Sequence, residues 1–257
     1  MKGAGRNRLP IRRMIEIIII LTVLFFIAVL FYKQANEQFE ILQIEASRLS
    51  ELPTMYADRS PIVISNFQPP VLGTEQELRK RPNILQMAVS REFSLKSLLE
   101  NPALQTFRFN PETAKFLAKE SGLQIWFEHH LYKDLLPSSY TTWLYSSRTS
   151  LWPHHRGLFK TTAFQTVIMP TQGTARVSLM LGSAIPYLPN KWYNRTFHSL
   201  TPQDTPLLNQ IKFIEIKLRR GNLLLLPAHL IVDITSEGSP AAWCFIGEIH
   251  HPISRIA

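Results

Sequence analysis

Eight histidines are the side chains of this chain best suited to chemistry, and six of them fall in adjacent pairs. The pairs are His129-His130, His154-His155 and His250-His251. A neutral imidazole binds transition metals and exchanges protons near neutral pH. Adjacent residues on a strand face opposite ways, so a pair rarely chelates one ion. A metal site would need one member from each of several segments. His155, His229 and one of His250 or His251 are weak candidates for it, with no spacing rule behind them. The simpler reading makes these pairs exposed or half-buried surface histidines. Asp233 is close in sequence to His229, but its neighbour Val232 faces the other way on a strand. Lys160 reads as a solvated lysine. Cys244 is the one cysteine, so no intramolecular disulfide can form. It lies in the apolar run AAWCFIGEI, where a small buried hydrophobe is expected rather than a nucleophile. Asn194-Arg195-Thr196 is a glycosylation sequon in a proline-bounded loop, and Asn194 is the candidate acceptor.

Strands and helices must position these groups. Asn110–Gly122 carries helix signals: Asn110 as N-cap, Pro111 in the first turn and Gly122 at the end. Phe93–Leu99 has helical spacing, and Tyr132–Leu144 is aromatic-rich with a break at Pro137. Later, Phe164–Met169, Ala175–Leu181, Ile211–Leu218, Leu223–Leu226 and Ala241–Ile249 read as strands. The segment PTQGT at 170–174 reads as a turn. Leu181–Leu208, with Pro186, Pro189, Pro202 and Pro206, reads as a long ordered surface loop.

The N-terminal part is different. Ile17–Tyr32 is uncharged, and with Met14–Glu16 it makes a 19-residue stretch, the length of a transmembrane helix. Five basic residues precede it, and Glu37, Glu40 and Glu45 follow it. The positive-inside rule then makes 1–13 a cytoplasmic tail and places the main domain, 54–257, on the lumenal or extracellular side. The sequence thus reads as a single-pass signal-anchored membrane protein, with the lipid bilayer as a partner. A cleaved signal peptide is the competing reading, but the apolar run is long for one and no small-x-small site follows. Residues 33–53 are expected to be a helical stalk or connector, because Tyr32, Ala35, Phe39, Leu42, Ala46 and Leu49 share one seam. Such a stalk could pair two copies of the chain or pack on its own domain. Net charge is +9, but the N-terminal cluster accounts for much of it, leaving 22 basic and 18 acidic residues. That mild excess argues against nucleic acid as a partner.

Three short motifs carry a family resemblance over about residues 60–250. Ile216–Ile234 reads IKLRRGNLLLLPAHLIVDI, Ser60–Phe67 reads SPIVISNF, and Gly173-Thr-Ala-Arg176-Val177 follows the strand at 164–169. Together they resemble the cupin-like 2-oxoglutarate oxygenases of the JmjC type. The resemblance implies a mainly β fold, a double-stranded β-helix or jelly roll with N-terminal helices. It also implies Fe(II) held by two histidines and a carboxylate, with 2-oxoglutarate as co-substrate. Here Val232 stands where the last histidine would fall. The His-x-Asp position, a dozen residues before Gly173, falls on Phe159–Thr162, so Lys160 and Thr162 stand there, and two residues after His155 comes Gly157. The expectation is therefore a cupin-like domain that has lost this chemistry, has no catalytic residues and acts in binding or scaffolding with a protein partner not named by the sequence. The alternatives are a 2-oxoglutarate-dependent hydroxylase with displaced ligands, and an envelope or surface structural protein of unrelated fold.

Overall fold

Among the described residues ten strands assemble into two sheets. The computed structural model describes residues 11–33, 40–56, 59–101, 107–136, 142–252 and 254. The six-stranded sheet has the order β1 (Leu42–Glu45), β2 (Ile62–Ser65), β8 (Leu223–Pro227), β5 (Gln165–Gln172), β10 (Trp243–His250), β3 (Ser146–Pro153). The four-stranded sheet runs β4 (His155–Lys160), β9 (Leu230–Glu237), β6 (Thr174–Leu181), β7 (Phe213–Arg219). From β3 onward the chain switches sheets at most connections, so consecutive strands end up facing each other across the core. Within each sheet every pair is antiparallel except β1 with β2.

Helices are as prominent as strands in the first half of the domain. They include α5 (Leu95–Glu100), α6 (Pro111–Glu120) and α7 (Leu123–His130). The expected cap of α6 is present: Asn110 Oδ1 accepts the Glu112 N–H at 3.1 Å. Gly122 ends the turn at a φ of 83°, which an L side chain resists. Helix α7 packs on the outer face of the large sheet, where Phe127 stacks near Phe245 at 5.6 Å. Gly247 leaves room for that ring, because a Cβ there would lie 2.8 Å from Phe127. Asn110→Ala should cost about 1 kcal/mol of stability, read as a lower urea midpoint with an unchanged slope.

Two expectations are corrected here. The chain is a mixed α/β protein with two sheets, not a mainly β one, because helices fill the segment ahead of β3. Among the described residues, no helix is long and apolar enough to cross a membrane. The apolar stretch does form a helix, α1 (Ile11–Lys33), with Glu16 within it. The transmembrane span at 14–32 is withdrawn. The single-pass topology, the lumenal or extracellular placement and the argument for glycosylation at Asn194 depended on it and go with it.

The connector also differs from expectation. Leu42–Glu45 is strand β1, laid parallel to β2, inside the segment expected to be a helical stalk. Ile44 is buried in the core, although it lies off the proposed helical seam. Residues 34–39 of that stalk lie outside the described residues.

Alternation along β9 divides the core in two. Val232 and Ile234 point into the space between the sheets, with Phe159, Val177 and Leu179. Ile231 points the other way, into a second cluster with Leu158, Met180 and Phe197, roofed by the proline-rich loop. As expected, that loop is ordered. It docks along β4, with Leu158 N–H donating to Arg195 O at 2.6 Å and Asn194 N–H to Leu158 O at 2.8 Å.

Candidate functional site

Charged and polar side chains collect on the inner faces of β4, β5 and β10, between the sheets. Residues paired across strands share a face. Arg156 on β4 pairs with Ile234, a residue of the inner core, so Arg156 points inward too. On β10, Phe245 and Gly247 face the helices, which turns Glu248 and His250 inward. Thr166 on β5 is the cross-strand partner of Glu248 and shares its face.

The walls of this site are aromatic. The Arg156 guanidinium carbon lies 3.6 Å from the Phe159 ring centroid and 4.8 Å from that of Trp152. Trp152 is held by its own indole N–H, which donates to Ser150 Oγ at 2.8 Å. Ring faces attract the cation and leave its N–H edge directed elsewhere. Burial pulls the Arg156 pKa below the usual arginine value, against the Glu248 charge and the Tyr193 hydroxyl. It remains protonated, as arginine does in proteins.

Glu248 is the counter-charge. Burial pushes its pKa up, but His250, Arg156 and Arg148 together outweigh burial and hold it below the ordinary glutamate value. His250 Nε2 lies 3.4 Å from Glu248 Oε2, a close ion-pair contact without a hydrogen bond. Arg156 and Glu248 act on each other without forming an ion pair among the described residues.

Three buried atoms here have no hydrogen-bond partner: Arg156 Nε, Thr166 Oγ1 and His250 Nε2. His250 Nε2 has its 3.4 Å contact with Glu248, so Arg156 Nε and Thr166 Oγ1 are the two without any polar contact given, each at a cost of about 1–3 kcal/mol that a bound polar group or water would relieve. The arrangement provides two N–H donors or an acceptor, a hydroxyl and an anion between flat apolar walls.

The residues singled out in the sequence lie elsewhere. Val232 is fully buried, opposite Phe159 and Leu179, so an apolar side chain of the core fills the position of the last ligand. Lys160 pairs with Ile231 at the end of β4, and Thr162 is exposed just beyond it. His155 pairs with Thr235 and lies on the opposite face of β4 from Arg156. Its pKa is lowered by burial, then by Arg108 and His154. His229 occupies the turn before β9 at a φ of 72°, its N–H donating to Thr161 O at 2.7 Å. Six residues of extended chain separate His229 from the partner of His155, roughly 20 Å, so the two cannot share an ion. Among the described residues, no group of three His, Cys, Asp or Glu is placed to hold a metal. These donors therefore do not fit the two histidines and a carboxylate that Fe(II) needs. Cys244 is buried, and burial pushes its thiol up to about 12, as expected of a packing residue.

Sequence reading missed Arg156 and Glu248. One signal was present: Glu248 is a lone carboxylate inside an apolar strand, AAWCFIGEI, where a charge needs a partner.

No family model matches the chain, and no curated protein matches it. Among solved structures, vicilin from Capsicum annuum matches at 13% identity over 42% of this chain, with a TM-score of 0.28. The match spans only 24% of the vicilin chain. So slight a likeness carries no argument.

Proposed function

We propose that this chain is a binding domain of cupin-like jelly-roll form that holds a small polar molecule between its two sheets and does not carry out Fe(II)/2-oxoglutarate chemistry. The observation behind it is the pair of buried atoms without a hydrogen-bond partner, Arg156 Nε and Thr166 Oγ1, beside the Glu248–His250 contact. The jelly-roll reading is supported by the order of strands, which alternates between facing sheets from β3 to β6 and again from β7 to β10. A fitting ligand offers an acceptor to the Arg156 N–H edge and a donor to Glu248, with a flat or apolar part against Trp152 and Phe159. Arg156 orients it, Glu248 selects for the donor, and the aromatic walls exclude water, which strengthens both contacts.

The loss of oxygenase chemistry is tested by adding Fe(II) and 2-oxoglutarate to the full-length chain in a thermal melt, alongside its metal content as purified. We expect no shift in Tm and iron, manganese and zinc well below one per chain. A stoichiometric, chelator-sensitive metal would overturn the reading, since a bound ion stabilises the folded state by mass action.

A further inference from the structure

The edge strand β3 borders a groove of about 650 Å³ whose other main wall is helix α6. It is lined by residues other than those of the core site, apart from Arg148, which also acts on Glu248. An edge strand offers a row of unpaired N–H and C=O groups to any extended chain that lies beside it. Along the groove β3 contributes Ser147 to Thr149, and the far side includes Met87 and Ala88. Helix α6 has ten residues and so is about 15 Å long, the span of four to five extended residues.

The chemistry of the lining selects the occupant. Phe116 projects from α6 with 49% of its surface exposed, an apolar anchor without a partner in its own fold. Lys115 is committed to Glu112 at 2.7 Å, while Lys119 and Arg148 form no ion pair among the described residues. The groove is therefore net positive. A second copy of this chain, itself at net +9, would bring like charge to it. We propose that the groove docks a short, extended, acidic segment of a partner protein, which adds to the β3 edge and places an apolar side chain on Phe116. Backbone pairing supplies the affinity, and Lys119 with Arg148 sets the preference for acidic side chains.

Fluorescence polarisation of the full-length chain with labelled hexapeptides tests this. The probes are an alternating Glu/Val peptide, its Lys/Val counterpart, and the Glu/Val peptide with N-methylated central amides. We expect saturable binding of the Glu/Val peptide alone, weakening with added salt. Lys119→Glu and Phe116→Asp should each weaken it by about tenfold, with melting curves close to the wild type. Equal binding of acidic and basic peptides, no saturable binding, or indifference to both variants would overturn the proposal. So would self-association of the chain that Phe116→Asp abolishes, which would assign the groove to a second copy.

Discussion

Arg156→Met should lower the stability of the chain by about 3 kcal/mol at neutral pH, as removal of one partner from a buried charge cluster does. The methionine retains the packing against Trp152 and Phe159, so the loss is electrostatic. Glu248 is then left with burial, which raises its pKa, and without its main fixed cation. The sign of the pH dependence follows. In the wild type, Glu248 titrates below its unfolded value, so its contribution is present above the ordinary carboxylate range and is lost as pH falls through its lowered folded value. In the variant burial is opposed only by His250 and Arg148, so that contribution should shrink or change sign. Urea melts across pH 4 to 7 read both effects. Adding Glu248→Gln to Arg156→Met should recover part of the loss, because it removes the uncompensated charge. A double variant no better than Arg156→Met would mean that Arg156 does not stabilise the chain through the Glu248 charge.

Asp233→Asn should have a comparable effect, seen as a change of slope. Asp233 lies on the outer face of β9 beneath the proline-rich loop, 1% exposed. Its Oδ2 accepts the Phe197 N–H at 2.8 Å, pinning the loop, while Oδ1 has no hydrogen-bond partner. Burial raises its pKa to about 6, against the Phe197 and Ile234 N–H groups, His198 and Arg108. His198 is itself held by Glu215 at 3.0 Å, and Ser178 Oγ lies 3.4 Å from the same carboxylate oxygen. A carboxyl whose folded pKa is raised binds its proton more tightly when folded. Its contribution is full below the ordinary carboxylate value and falls as pH rises from about 4 to about 6, by about 3 kcal/mol over two pKa units. The asparagine variant keeps an acceptor for Phe197 and should lack that fall. The difference between the two stability curves isolates Asp233 from the other carboxylates. Parallel curves would show that Asp233 is ionised throughout.

Parts of this architecture were legible in the sequence for physical reasons. The cap at Asn110 and the reversal at Gly122 are local, and local signals survive folding. Strands β5 and β6 were visible because β-branched and aliphatic residues flank Gly173, but they fall in different sheets and are not a hairpin. Val232, where the resemblance places a last ligand, is a buried apolar residue on an inward-facing position of β9. Strand β1 was missed because Leu42 and Leu49 fit a helical seam, while Ile44, which the sheet buries, did not. The pairing of β1 with β2 is tertiary and leaves no mark at that range. Strands β3 and β4 were missed because Ser and Arg occupy inward positions on them, and a polar interior breaks the apolar alternation that marks a strand. Of the three strands that build the site, β5 and β10 were legible and β4, which carries Arg156, was not.

Native mass spectrometry of the full-length chain, with and without Arg156→Met, tests the central claim most directly. We expect the wild type to carry a small-molecule adduct that denaturation releases, the variant to lack it, and neither to carry a transition metal. A bare wild-type chain, an adduct indifferent to Arg156→Met, or the mass of a bound metal ion would contradict the account.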